Sequence, residues 1–431
     1  MKYHRLIPPY PAALAVCIAC AAGTAHAVAD APSAAPAATA QSGRDDPRQA
    51  EQATPETETD NKGVTAGSFV LHPKLTLGMR FDDNIYATPD NELDDLVVSL
   101  SPVLEAESTW RRHALSLGAG ATIARYQDYA NENTEDYWLE AKGRYDLSDR
   151  ARLFAGARHA FTHEDRESAD NLIAGAPTTY SDDMLFAAIQ QSVGTRINLR
   201  LGGSYRRLDY DDVPNALLQT NDDRDRDVIT AAVRLGYNLQ NGYLWFAQAA
   251  LDQRRYRLTF DDAGYHRDSA GYRLQTGIQW QRGQVSGDAY IGHMTQDYDD
   301  AGLSDVSALD FGTSLNWQLS ARTTLHVALE RAIEETTLVG ASSYLSTSLN
   351  AGLTHKLRPD LSVSGSLGMT TADYQGLSRE DDILEAALGM KYELGRRTYL
   401  AANYRFLERD SNDDTVDFVR NQISLLFGWQ F

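Results

Sequence analysis

From residue 73 onward, apolar and polar residues alternate in short runs, and a period of two is that of strands that show one face to an apolar medium and the other to water. In the last eleven residues, NQISLLFGWQF, Ile423, Leu425, Phe427, Trp429 and Phe431 fall on one face and Gln422, Ser424, Gly428 and Gln430 on the other; Leu426 breaks the pattern. Elsewhere Tyr272, Leu274, Thr276, Ile278 and Trp280 oppose Arg273, Gln275, Gln279 and Gln281, and Leu309, Phe311, Leu315 and Trp317 oppose Asp310, Ser314, Asn316 and Gln318. Ile197, Leu199, Leu201 and Tyr205 oppose Asn198, Arg200, Ser204 and Arg206, and Leu384, Leu388, Met390 and Tyr392 oppose Glu385, Lys391 and Glu393. About eighteen such segments are predicted, the first at 73–82 and the last at 418–431, forming nine hairpins of roughly 40 residues.

The breaks between segments alternate in kind. Short ones such as VGTR, LQNG and QRGQ follow even-numbered segments, and long acidic ones such as FDDNIYATPDNELDD and QDYANENTED follow odd-numbered ones. A soluble sandwich also alternates, but it needs an apolar face on each sheet to form a dry core. Here the polar faces never turn apolar. The pattern therefore predicts an all-β fold, a transmembrane antiparallel up-and-down β-barrel with both termini periplasmic, short turns inside and long loops outside.

The first residues carry Lys2 and Arg5, an apolar run from Ala12 to Ala22, and Ala25-His26-Ala27 as a small-x-small site, so residues 1–27 read as an export signal. The run is shorter than the ~20 apolar residues of a membrane-spanning helix. Both cysteines, Cys17 and Cys20, lie within that signal, in a setting that does not fit a lipobox. Residues 28–72, rich in Ala, Pro, Thr, Glu and Gln with few aromatics, read as a flexible periplasmic leader. Residues 73–431 are then the barrel. A mean hydropathy of −0.43 is no obstacle, because a barrel strand meets lipid only at every second residue. With 40 basic against 60 acidic residues the net charge is −20, which argues against nucleic acid as a partner.

Candidate chemistry is sparse. There is no Gly-rich phosphate loop, nucleophile elbow or zinc spacing, so neither catalytic residues, a cofactor nor a dedicated metal site is expected. His159 and His163 share a strand face beside Glu164 and Asp165, a setting commoner for rim histidines than for metal ligands. The acidic pairs Asp82-Asp83, Asp222-Asp223, Asp299-Asp300, Asp381-Asp382 and Asp413-Asp414 predict carboxylates on the outer rim, bridged by divalent ions to lipopolysaccharide phosphates. Facing the lumen, Lys142, Arg144, Arg200, Arg206, Arg234, Arg273, Arg405 and Arg420 are expected opposite Asp288, Asp310, Glu330 and Glu385, either lining a selective pore or pairing between neighbouring strands. Tyr126, Tyr137, Tyr145, Tyr237 and Trp429 fall near strand ends, as interfacial girdles require. The longest loop, 163–183, with its apolar NLIAGAP stretch, is a candidate to fold inward as a constriction.

The run HPKLTLGMRFDDN with Ile85 and Tyr86, then SPVLEAESTWRRHALSLGAGATIARYQDY, then DLSDRARLFAGARHAFTHEDR, resembles the outer-membrane beta-barrel porin family that includes exopolysaccharide-export barrels. The aromatic ending likewise looks like that of barrels whose last strand is read by the barrel-assembly machinery, which makes Phe427, Trp429 and Phe431 the expected assembly signal. The resemblance implies a passive, non-enzymatic pore in the Gram-negative outer membrane. Its leading implication is export of a secreted polysaccharide with periplasmic export partners. The alternatives are a general or solute-specific diffusion porin, and a plugged structural or surface-binding barrel.

Overall fold

The computed structural model describes residues 63–168, 170–171, 175–213 and 220–431. In chain order its strands are β1 (Val64–Ala66), β2 (Phe69–Asp82), β3 (Asp95–Ser108), β4 (Ala114–Tyr126), β5 (Thr134–Asp146), β6 (Ala151–His163), β7 (Thr179–Val193), β8 (Ile197–Tyr210), β9 (Arg226–Gln240) and β10 (Tyr243–Tyr256). They continue with β11 (Ser269–Arg282), β12 (Val285–Tyr298), β13 (Val306–Ser320), β14 (Thr323–Glu335), β15 (Ser343–Arg358), β16 (Leu361–Gln375), β17 (Glu380–Glu393), β18 (Thr398–Ser411) and β19 (Phe418–Gln430). Two 3₁₀ turns, Ala130–Glu132 and Asp222–Arg224, sit in long connections. Each strand from β2 to β18 pairs antiparallel with its successor, and β19 returns to β2 with Gln422 opposite Asp82 and Gln430 opposite Lys74. The eighteen long strands thus close into a barrel, and no long strand is left with an open edge.

Residues 63–72, placed in the leader by their composition, form β1 and the opening of β2. β1 lies along β2 at Phe69–Leu71, on the edge that β19 occupies from Lys74 onward. Pro73 falls between the two. Its carbonyl accepts the Phe431 amide at 3.1 Å, and its missing N–H faces the gap between β1 and β19, where no ladder partner is needed.

Burial is inverted relative to a water-soluble protein. Leu388, Leu251 and Leu425 are 60–65 % exposed on the outer face, whereas Asp82 and Asp310 on the inner face are 0 % exposed. The parity of every strand assigned from the sequence holds: Leu274 and Ile278, Leu309 and Trp317, Leu199 and Leu201, and Leu388 and Met390 all face outward. The long strands run 13–16 residues, more than the ~9–11 a tilted strand needs to cross the bilayer, so the wall extends beyond the hydrocarbon. Among the described residues no helix is long and apolar enough to span a membrane.

Two departures have local causes. β7 begins at Thr179, five residues before the expected 184, because Asp182 and Asp183 look like loop residues but continue the ladder against Leu208 and Arg207. Tyr126, expected in an interfacial girdle, has inward parity and accepts a hydrogen bond from Arg80 Nη2 at 3.4 Å. Glycines on the inner face make room for aromatic rings. A Cβ on Gly428 would stand 2.0 Å from the Tyr399 ring, and one on Gly120 would stand 2.5 Å from Trp138 Nε1. Leu426, the exception in the terminal pattern, faces Gly78, where a Cβ would meet it at 3.0 Å.

Candidate functional site: the lumen and its inward loop

All twelve ionisable residues expected in the lumen lie on inward parities, opposite the exposed apolar side chains of their own or neighbouring strands. Most are engaged locally. Lys142 Nζ stands 2.7 Å from Glu140 Oε1, and Arg144 and Arg152 share Asp146 at 3.3 and 3.5 Å. Arg206 grips Asp182 through Nε and Nη2 at 2.7 and 3.1 Å, and Arg158 adds a contact at 3.2 Å. Arg273 stands 3.3 Å from Asp310, which also accepts from Gln275 at 2.9 Å. Glu330 is on the adjacent strand opposite Gly312, and Asp288 is opposite Ser314. Arg200 and Arg234 face each other across β8 and β9, each guanidinium over a ring: Phe154 at 5.4 Å and Phe246 at 3.6 Å from the ring centroids.

Arg405 and Arg420 belong to a different arrangement. The connection after β6 turns into the barrel and is tied to several parts of the wall. Glu164 accepts Arg224 Nη1 and Nη2 at 2.9 and 2.5 Å, with the Ser168 hydroxyl donating to it at 2.8 Å. Arg166 donates to Glu132 at 2.9 and 2.6 Å. Glu167 reaches Arg405 at 3.1 Å and Arg420 at 3.3 Å, and its backbone carbonyl accepts from Arg409. Asp170 accepts the Thr336 hydroxyl at 2.5 Å and the Thr337 amide at 3.2 Å. These partners belong to the β4–β5, β8–β9 and β14–β15 connections and to β18 and β19, so the loop crosses the bore. The inward fold expected for 163–183 is therefore present; residues 172–174 of its NLIAGAP stretch lie outside the described residues.

The acidic pairs divide: Asp299, Asp382, Asp413 and Asp414 are exposed, whereas Asp82 and Asp381 are buried. Asp82 is fully buried, accepting Arg420 at 2.6 Å and Gln422 at 2.7 Å. Asp381 accepts Arg379 at 2.6 and 2.8 Å and the Ser411 hydroxyl at 2.7 Å. Asp83 binds the Asn421 amide and side chain, and Asp300 holds the His266 amide. Nearby donors turn Asp82, Asp83, Asp300 and Asp381 into cross-links, Asp82 and Asp381 from inward parities. Sequence reasoning also missed a second buried hub, in which Glu335 accepts from Arg254, Tyr256 and Tyr298, because its partners lie 37–81 residues away. His159 and His163 go to separate acids, Asp183 at 2.7 Å and Asp136 at 2.9 Å, and form no ligand pair. Among the described residues, His266, Asp268 and Asp299 bring three ligand atoms within 4.8 Å of one another and are the set whose donors could hold a cation. Phe427 and Trp429 face outward, and Phe431 packs on Trp429 and under Arg397, with ring-centroid distances of 4.6 Å in both cases.

The loop carries opposed titrations. Burial acts to raise Glu164, but the charge and hydrogen bonds of Arg224, with the Ser168 hydroxyl, hold it below the ordinary carboxylate value. Its contribution is present above that ordinary value and is lost only as pH falls through the lowered one. Asp165 and Asp170 are pushed up by burial, Asp165 further by Glu167, and Asp223 is pushed up to about 7 by burial and by Asp262. Their contribution is full below the ordinary value of 3.8 and is lost as pH rises through the raised values. The loop end is therefore expected to unfold at a higher temperature near pH 5 than near pH 8, with Asp223→Asn removing part of the difference; calorimetry in detergent reads it.

The family described as Putative beta-barrel porin 2 matches residues 57–431, the whole ring together with β1. The chain belongs to that porin family. It is an outer-membrane protein of Gram-negative type, as the closed strand wall with its apolar exterior requires. Among solved structures, a BenF-like porin from Pseudomonas fluorescens Pf-5 aligns at 10 % identity and TM-score 0.47, covering 84 % of this chain and 99 % of that one. Pseudomonas aeruginosa OpdK, solved with vanillate, aligns at 11 % identity and TM-score 0.46 with the same coverage. No curated protein matches this porin in sequence.

Proposed function

We propose that the porin is a diffusion channel for small hydrophilic solutes. The observation that carries the reading is the loop tied from Glu164 to Asp170 across the bore. A charged segment held against several parts of the wall leaves charge-lined passages suited to small solutes, and selectivity in such pores follows the groups that line them. Export of a polysaccharide, the leading expectation from the sequence, needs a bore through which a polymer can thread, and no feature of the lumen among the described residues supports it. In this reading the barrel performs no covalent step. Phe427, Trp429 and Phe431 serve as its assembly signal and residues 1–27 as its export signal; both termini lie in the periplasm, and the wall meets outer-membrane lipid, with lipopolysaccharide at the outer rim. Liposomes carrying the protein are expected to swell in glucose and to swell roughly tenfold more slowly in maltoheptaose. Equal rates for the two sugars would return the polymer reading to first place.

A further inference from the structure

Although every long strand has a neighbour on each side, the ladder between β13 and β14 covers only part of its strands. It runs from Ser320 opposite Thr323 to Gly312 opposite Glu330 and stops there. β13 goes on to Val306, paired with Gln296 of β12, and β14 goes on to Glu335, paired with Ser343 of β15. Among the described residues, none of 306–311 pairs with any of 331–335. The fork lies about 20 Å above the periplasmic turns, at a rise of ~3.3 Å per residue and a tilt of roughly 40°, which is the level of the outer leaflet. Parity shows where β14 goes. Glu335 shares the parity of Leu325, which stands opposite the outward-facing Trp317, yet it accepts from Arg254, Tyr256 and Tyr298, all on the inner faces of β10 and β12. The outer end of β14 has therefore left the wall and turned its lipid-facing parity toward the inner face of its neighbours. Arg267, fully buried, holds the β14–β15 connection there by donating to the carbonyls of Thr336 and Ala341 at 2.8 and 2.9 Å. Ile333 and Leu345, also of outward parity, are only 4 % and 6 % exposed and pack with Met294 and Val306 of the inner face. An apolar strip thus passes from the lumen through the split to Leu309 and Phe311 on the outer wall. Beside it stand two buried acceptors with no donor, Asp310 Oδ1 on β13 and Glu334 Oε2 on β14.

We propose that the split between β13 and β14 is a lateral passage for single-chain amphiphiles between the lumen and the outer leaflet, closed here by the inturned β14–β15 hairpin. The apolar strip takes the alkyl chain, and Asp310 Oδ1 and Glu334 Oε2 take hydrogen bonds from hydroxyls of the head group. Glu335, held by Arg254, Tyr256 and Tyr298, is the latch. An interrupted ladder at this depth is costly, because lipid supplies neither donors nor acceptors to the backbone, and a wall that only encloses a bore has no use for one. The passage is separate from the diffusion path: small solutes follow the bore, and amphiphiles enter or leave it sideways.

The test uses the mature full-length porin in proteoliposomes doped with a decyl glucoside that carries a diazirine at the end of its chain, with mass spectrometry locating the label after irradiation. Label is expected on Met294, which faces the lumen, as well as on Leu388 of the outer wall. Ile333→Trp, which fills the strip, is expected to lose the Met294 label and keep that on Leu388. Glu335→Gln, which weakens the latch, is expected to raise the Met294 label several-fold, and heat-modifiable migration reports that both variants are folded barrels. Met294 label that is the same in all three proteins arrives through the aqueous mouth and overturns the proposal, as does label confined to outward-facing residues. Swelling in glucose reads the diffusion channel by itself: a barrel that admits no glucose yet shows the expected labelling would sink that reading and keep the lateral passage.

Discussion

Replacing Asp82 with asparagine is expected to destabilise the barrel by about 3–5 kcal/mol. Asp82 sits at the closing seam, where β19 returns to β2, and is 0 % exposed. Its carboxylate takes two guanidinium donors from Arg420 and the Gln422 amide, and Arg80 stands 3.9 Å away. An asparagine keeps the volume and one acceptor. It also turns an N–H₂ toward donors and leaves the Arg420 charge, whose side chain is 5 % exposed, without its main partner. The cost falls on the ladder whose loss opens the ring, so it should appear in the urea midpoint of the whole barrel. Asp413→Asn, in the exposed β18–β19 connection, serves as the control, with a change within about 0.5 kcal/mol. A midpoint for Asp82→Asn no lower than that of the control would mean that the seam does not depend on this pair.

The second large effect is functional. Glu164→Ala strips Arg224 of both short contacts, at 2.9 and 2.5 Å, and leaves a guanidinium buried over the Tyr210 ring without its carboxylate. Breaking a buried pair costs about 3–5 kcal/mol, enough to shift the equilibrium between inward and released loop by about two to nearly four orders of magnitude. Because the segment crosses the bore, its release is expected to raise single-channel conductance several-fold and to broaden the distribution of open levels. Glu164→Gln, which retains hydrogen-bonding capacity, should fall between. If all three proteins show one conductance, the inward loop does not control the passage.

How much of this could be read from the chain depends on whether a residue lies on a strand. On β19 the parity of Ile423, Leu425, Phe427 and Trp429 assigned the outer face correctly, because a strand in a barrel has two faces and the sequence displays both. The same rule put Arg200, Arg234, Arg405 and Arg420 inside. Parity assigns a face and no partner, so it could not show that Arg420 closes the seam on Asp82, 338 residues away. Asp82 itself was misread, since Asp83 and Asn84 after it look like a solvated loop. Glu164, Glu167 and Asp170 lie where no periodicity operates, and their partners are 60, 238 and 166 residues distant. Whether the lumen is wide or divided depends on those loop contacts, and that is why the alternation predicted the barrel, and the loop's length its inward fold, while the partners that hold the loop stayed hidden.

The most direct test is the conductance and size limit of a chain in which residues 165–177 are replaced by a short Gly-Ser linker, with heat-modifiable migration confirming the ring. The inward-loop account predicts a markedly higher single-channel conductance and entry of maltoheptaose at a rate approaching that of glucose. Conductance and sugar cut-off identical to those of the unaltered chain would contradict it.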